Sequence, residues 1–540
     1  VSKQVLLLNI ARMGDIIQTV PLINRLHQEW PDVAIDLVVD QRLAGMTRLL
    51  IGIREVIARD FKDLRAMPVT ATTLPCELSE WAKTVAAMGY DRVINLTFTA
   101  SSGLLAAAIG APDTRGVLSI NGAPIVLNDW MAYCVDRHRF RGFNRFNVAD
   151  LFALGGSGSG PWTPIRLSIP SDAEQWAARW LRRIGTDCIP VAVQIGASQV
   201  RKAWRPEYFA RVMAMVSREC EIAFVLNSPQ GERDAVRQAV SAYHQAGGEK
   251  HTCHTLDDVD VPRLAAVLKR CRLLLTNDTG PMHLAVGVGT PLINLSMGHV
   301  DFRETGPCGP GHWIIQPDIA CGPCGLEQVC GEFPCKDRIV PEQVAALAAH
   351  ALGLRPFPEH WSGVRVYESV VDADGLVEYC QRAGRDALAD WYGPFWRRYW
   401  YREFTGQASS TTIDRTPPDL ANQEELFRQM APGVERIVTC AERLRDVCCE
   451  PSVTPAALKS AQDDLIRERA QVMPLAMASP LFGPITVALL RRLYDGRVLG
   501  VRARAEQQAQ AYRTWKARLD GVKEWIQRTQ KRSEVGCFME

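Results

Sequence analysis

Two short segments place chemically capable side chains at the ends of apolar runs. In "TNDTGPMHLAVGVGTPLINL" (Thr276 to Leu295) a strand ends at Asn277, a tight turn follows, and Pro281 suits the first turn of a helix. The amides of Thr279 and Gly280 then point at whatever lies above the helix start. Free amides at the positive helix end favour an anion, typically a phosphate. His283 can add a donor to the same anion, and Asp278 can orient a ribose, a sugar hydroxyl or a loop amide. In "ARMGDIIQTVP" (Ala11 to Pro21) Gly14 allows a sharp turn at the exit of the run "VLLLN", and Asp15 begins a helix. A carboxylate above a strand exit can take a proton from an acceptor hydroxyl in a displacement. Each residue also has a plain structural use: Asp15 and Asp278 as helix caps, His283 as a satisfied buried histidine.

The elements that must position these residues follow from patterning. From residue 4 to about 120, short apolar runs such as "VAIDLVV" and "YDRVINLT" alternate with helical stretches. That alternation predicts a parallel sheet covered on both faces. "GGSGSGPWTP" is the clearest linker. Beyond it "IPVAVQIG", "EIAFVLN", "RLLLTND" and "TPLINLS" repeat the alternation. The reading is an N-terminal Rossmann-like domain over 1–155, a linker over 156–165, a second Rossmann-like domain over 166–355 and a helical extension over 356–540. Two doubly wound domains place a cleft between the carboxyl ends of their sheets. In the extension strand-like runs disappear, and Tyr512, Trp515, Leu519, Val522 and Ile526 form one apolar helix face, expected to pack on another helix.

Composition narrows the class. The 540 residues exceed one ordinary core, and 47% apolar with 23% charged residues is a globular balance. A net charge of +2 gives no bulk electrostatic case for a nucleic-acid partner. No apolar run approaches the ~18 residues of a spanning helix, and no secretory signal pattern opens the chain. The expectation is a cytoplasmic protein, at most resting on the inner face of a membrane. The first strand exit lacks G-x-G-x-x-G, which disfavours a nicotinamide dehydrogenase.

The ordered pair "LLLNIARMGDIIQTVPLINRL" and "NDTGPMHLAVGVGTPLINL", one in each Rossmann-like region, closely resembles the heptosyltransferases of glycosyltransferase family 9. The resemblance covers about residues 1–355. It implies a GT-B fold and transfer of heptose from ADP-heptose, usually to lipopolysaccharide core, with inversion and no cofactor for catalysis. It implies Asp15 as general base and Asp278, Thr279, Gly280 and His283 as the donor-binding turn. In "RKAWRPEYF" Lys202 matches a lysine on the donor diphosphate, although Arg205 interrupts the family's Trp-Pro pattern. Glu232 falls near the acidic residue at the nucleoside end, and Arg115 resembles an arginine near the acceptor. The acceptor is expected to be a lipopolysaccharide-core or other surface glycan, or a protein side chain. Another nucleotide sugar as donor, or an inactive GT-B scaffold, are the competing readings.

Five of the 16 cysteines fall between Cys308 and Cys335 in a glycine- and proline-rich segment. Cys321 and Cys324 have the C-x-x-C spacing that grips one metal, and Cys330 and Cys335 could complete a structural zinc or iron site. The protein-modifying branch of the resembled family carries cysteine-bound iron, which points the same way. The alternative is a loop of reduced thiols. Finally, "DWYGPFWRRYWYREFTG" (Asp390 to Gly406) mixes aromatics with arginine. Such a helix suits packing on the transferase body, acceptor recognition, homo-oligomer formation or peripheral membrane contact.

Overall fold

The computed structural model describes residues 3–536 except 69, 159, 185–187, 326 and 414. Ser159 of the expected linker and Leu326 of the cysteine loop therefore lie outside the described residues. The chain divides into two compact units: Val1–Lys62 with Arg145–Arg385, and Asp63–Asn144 with Asp386–Glu540.

The first segment supplies β1 (Gln4–Leu8), β2 (Ala34–Asp40) and β3 (Glu55–Arg59), all parallel, with Leu6 opposite Asp36 and Leu37 opposite Val56. Val5 to Leu8 are fully buried, which is why this strand reads as a continuous apolar run rather than an alternation. In the second unit β4 (Arg92–Asn95) runs parallel to β5 (Asp113–Ile120), which turns back antiparallel into β6 (Ala123–Leu127).

Residues 145–385 of the first unit contain β7 (Ile189–Gln194), β8 (Ile222–Ser228), β9 (Cys253–Asp257), β10 (Leu273–Asn277), β11 (Leu292–Leu295), β12 (Trp313–Pro317), β13 (Val364–Val371) and β14 (Val377–Ala383). They form one sheet in the order β14-β13-β12-β11-β10-β7-β8-β9. The strands β7 to β12 are parallel, and their order reverses between β7 and β10. That reversal opens a crevice above the carboxyl ends of β7 and β10, where doubly wound sheets bind ligands.

Two boundaries differ from the sequence reading. Gly155 and Gly156 close the helix Val148–Gly156 instead of opening the linker. Strands do not stop at residue 356: β13 and β14 form a hairpin that extends the sheet antiparallel from β12, with Ile314 opposite Tyr367. The turn between them is an Asp-Gly turn in which Asp372 accepts from the amides of Asp374 and Leu376, and Gly375 takes a positive φ of 71°. Alternating "VRVYESVV" before such a turn was the signal for a hairpin.

The rest of the extension is helical: Leu388–Thr405, Leu420–Cys449, Pro455–Ala478, Gly483–Asp495 and Val501–Gly536. Tyr512, Trp515, Leu519, Val522 and Ile526 are buried, as a helix-packing face requires. Lys516 pairs with Glu435 at 3.0 Å and Arg513 with Glu442 at 3.0 Å, flanking this face against Leu420–Cys449. The aromatic helix packs within the same unit. Phe404 meets Trp130 edge-on at 4.9 Å, and Trp396 Nε1 donates to the Pro480 carbonyl at 2.8 Å. Among the described residues, no helix is long and apolar enough to cross a membrane.

Candidate functional site

The site grows from the exits of β1, β7 and β10, all in the first unit. After β10, Thr279 stands in extended geometry ahead of the helix Gly280–Val288, and no side chain caps its start. The helix ends on Gly289, whose φ of 79° provides a left-handed stop. An uncapped helix start with Pro281 in its first turn leaves the positive end available to an anion.

Asn277 holds the turn. Its side-chain amide donates to the Ile195 carbonyl at 2.8 Å and accepts from the Trp204 amide at 3.0 Å. One buried carboxamide thus ties the exit of β10 to the exit of β7 and to the loop carrying Lys202. The Trp204 indole donates to the Lys336 carbonyl at 3.0 Å, fixing that loop from its other side. Arg205, the residue that interrupts the Trp-Pro pattern, points outward and makes a two-pronged pair with Asp337 at 2.7 and 2.8 Å. The insertion is accommodated on the surface, and Pro206 still starts the next helix.

Lys202 and Asp278 are both buried, with Nζ 3.7 Å from Oδ1. The Thr305 hydroxyl donates to the other oxygen of Asp278 at 3.3 Å. Burial pushes the Asp278 carboxyl up, and the Lys202 charge opposes that rise. His283 is buried, and among the described residues its Nδ1 has no hydrogen-bond partner. Burial first, and the Lys202 charge second, lower its pKa to about 4. At neutral pH the ring is therefore uncharged and offers a hydrogen bond rather than a positive charge. The cation of this cluster is Lys202.

The opening segment meets this cluster. Arg12 occupies the N-cap of the short helix Met13–Ile17, and Asp15 sits in its first turn, so the cap role expected for Asp15 does not apply. Gly14 is helical, without the positive φ that a sharp turn would need. Its purpose is room: a Cβ there would stand 2.7 Å from His283 Cδ2 and 3.0 Å from Nε2. A Cβ on Gly280 would likewise collide with the Met13 methyl. Two glycines thus let the two helices approach, and Asp15, partly buried, follows directly on the one that touches His283.

Glu232 ends a short turn after β8. Gln194, the last residue of β7, donates to its carboxylate at 2.6 Å and itself accepts from Asn227 at 2.8 Å. A side chain on Gly196 would strike this carboxylate. Burial raises the Glu232 carboxyl, with the Gln194 bond opposing. Gln194, Asn227 and Asn277 are positioning residues that sequence reading passed over. The available signal was a polar residue at or next to the last position of an otherwise buried strand.

Arg115 belongs to the second unit, on β5, where Asp113 accepts from it at 3.1 Å and from Arg92 at 2.6 Å. The expected four-sulfur metal site is not supported. Among the described residues, no three His, Cys, Asp or Glu side chains converge as metal ligands. Cys335 joins the apolar core, Cys321 is exposed, Cys324 is buried with its amide bonded to the Gly298 carbonyl at 2.8 Å, and the Cys330 sulfur accepts from the Phe333 amide at 3.4 Å. Burial raises the thiols of Cys324 and Cys335, and the neighbouring cysteines of the loop raise both further.

The description "Glycosyltransferase family 9 (heptosyltransferase)" matches residues 79–331. Lipopolysaccharide heptosyltransferase 3 of Escherichia coli K12 is 24% identical over 299 residues, 54% of this chain and 82% of that protein. Lipopolysaccharide heptosyltransferase 1 of Pseudomonas aeruginosa is 23% identical over 353 residues, 62% of this chain and 89% of that protein. The crystal structure of the family 9 glycosyl transferase from Veillonella parvula superposes with a TM-score of 0.52 at 23% identity, covering 65% of this chain and 98% of that one. The fold is thus α/β of the GT-B type with a helical C-terminal region.

Proposed function

The chain belongs to glycosyltransferase family 9, and from that premise we propose that it transfers heptose from ADP-heptose to a surface-glycan hydroxyl with inversion. The observation that carries this reading is the meeting of Gly14 and His283. It sets the Asp15 turn against the anion-binding start of the helix Gly280–Val288, beside the buried Lys202–Asp278 pair.

In this reading the donor diphosphate lies over the start of that helix, at Thr279 and Gly280. Lys202 supplies positive charge, and neutral His283 donates a hydrogen bond. Asp278 holds Lys202 in place, and Glu232 receives the ribose hydroxyls. Asp15 takes the proton of the acceptor hydroxyl, whose oxygen forms a bond to the anomeric carbon. The bond from that carbon to the phosphate oxygen breaks, and its electron pair leaves on ADP. Attack opposite the leaving group inverts the centre. Charge on the departing diphosphate is met by preorganised groups, so no metal step is needed in this scheme. Arg115 is proposed to contact the acceptor.

The test is a thermal-shift and turnover panel of nucleotide sugars on wild type, Asp15→Asn and His283→Ala. ADP and ADP-heptose should stabilise wild type and Asp15→Asn alike, and His283→Ala less. Transfer should fall at least ~100-fold in Asp15→Asn. Preference for another nucleotide sugar would overturn the donor assignment. The absence of any nucleotide response would favour a GT-B scaffold without turnover.

A further inference from the structure

A cavity of about 870 Å³ lies within the helical part of the second unit, and its lining includes no residue of the transfer chemistry. One wall is aromatic: Phe395, Tyr399 and Trp525, with the rings of Phe395 and Trp525 4.3 Å apart. Among the described residues, four guanidiniums, Arg398, Arg402, Arg415 and Arg528, line it with two carboxylates, Glu403 and Glu524. Both acids are already engaged, Glu403 by Arg518 at 2.6 Å and Glu524 by Arg528 at 2.9 Å. Arg415 is held by Asp386 at 2.6 Å. Arg398 and Arg402 remain without an acidic partner among the described residues. They stand four residues apart on one helix and are exposed. Like charges at that spacing repel each other, and a bound anion would relieve the repulsion.

Gly521 adds an independent observation. It lies inside the helix Val501–Gly536, where glycine is unfavourable, and a Cβ there would meet nothing within 4 Å. Packing therefore does not require the glycine. It lines the cavity, and its missing side chain widens the wall.

We propose that this cavity is a second ligand site that takes a phosphorylated saccharide. Arg398 and Arg402 hold the phosphate, the anion that guanidinium groups recognise by paired hydrogen bonds. The sugar ring lies against the aromatic wall. A phosphate alone would leave most of the volume empty, so the ligand has a body. The hydroxyls of Thr416, Thr529 and Tyr399 around that volume fit a hydroxyl-rich body better than an acyl chain. The ligand is either a free sugar phosphate or the phosphorylated headgroup of a glycolipid. The site takes no residue from the donor pocket, so it does not depend on the transferase reading.

The test is calorimetric titration of the full chain, saturated with ADP, with glucose 6-phosphate, glucose and inorganic phosphate. A second arm measures co-sedimentation with phosphatidylcholine vesicles, with and without a phosphorylated glucosamine glycolipid. The variants are Arg398→Gln with Arg402→Gln, and Gly521→Leu, whose Cβ meets nothing within 4 Å. A sugar phosphate, soluble or on vesicles, should bind the wild type at least about tenfold tighter than inorganic phosphate. Both variants should lose about tenfold or more of that affinity while melting like the wild type. Binding confined to the glycolipid vesicles identifies the headgroup as the ligand, and binding of glucose 6-phosphate identifies a free sugar phosphate. No saturable binding in either arm, or binding unchanged in both variants, overturns the site. Inorganic phosphate binding as tightly as the sugar phosphate overturns the saccharide assignment. The variants, rather than ADP, assign binding to the cavity, so failure of the donor reading would show separately as an absent ADP response.

Discussion

Gly14→Ala is the substitution on which local and tertiary reasoning disagree most sharply. Helix propensity alone favours alanine over glycine by about 1 kcal/mol. The new Cβ, however, would stand 2.7 Å from His283 Cδ2, about 1 Å inside the ~3.5–4.0 Å optimum for carbon pairs. The ring is only 5% exposed and cannot swing into solvent. Overpacking of this kind costs about 1–3 kcal/mol, leaving a net destabilisation of about 0–2 kcal/mol. The larger effect should be functional, since displacing the ring by about 1 Å can cost ~100-fold in turnover. Gly45→Ala is the control, because a Cβ there meets nothing within 4 Å and should be neutral or stabilising by about 0.5–1 kcal/mol. Melting temperature, ADP affinity and kcat/KM for the sugar donor are measured on both variants. If Gly14→Ala melts, binds and turns over like Gly45→Ala, the glycine is not making room for His283, and the assembly of the donor site around that contact is wrong.

Lys202→Met leaves Asp278 buried without its cation, so its carboxyl should rise further and protonate; destabilisation of about 3–5 kcal/mol and loss of ADP affinity in a thermal shift are expected. Acid should weaken the first unit, because the buried His283 and His312 each have a pKa of about 4 against 6.5 unfolded. Between those values the unfolded chain binds more protons. The contribution, on the order of 3 kcal/mol per ring, is present above pH 6.5 and is lost as pH falls through about 4, which denaturant melts at stepped pH with and without His312→Gln would resolve. Trp515→Ala should destabilise the helical unit by about 3–5 kcal/mol in a denaturation series, since the indole is buried and bonded to the Thr486 hydroxyl at 3.1 Å.

What the sequence determined by itself is short-range. Apolar runs at Val5–Leu8 and Leu273–Leu275 announce buried parallel strands, and the turn at Asp278–Pro281 announces a helix start. The repeat from Tyr512 to Ile526 announces a packed helix face. Each depends on residues within a few positions of one another, through the period of side chains and the chemistry of turns. The hairpin of β13 and β14 was legible by the same means in "VRVYESVV" and its Asp-Gly turn, but the aromatic helical character downstream masked it.

What only the tertiary structure decided concerns distance and desolvation. Gly14 serves a ring far away in the chain, a requirement that no local pattern carries. His283 is neutral because of what buries it and because Lys202 stands nearby. Arg205 is tolerated because Asp337 waits across a surface that the sequence does not place beside it. The C-x-x-C spacing brings two thiols near each other along the chain. Whether four thiols can hold a metal depends on tertiary placement: the core takes in Cys335 and leaves Cys321 exposed, while the thiols stay near enough to feel one another's charge. Spacing sets which groups can meet, and packing sets which groups do, because burial and close approach are properties of segments that touch only after the chain has folded.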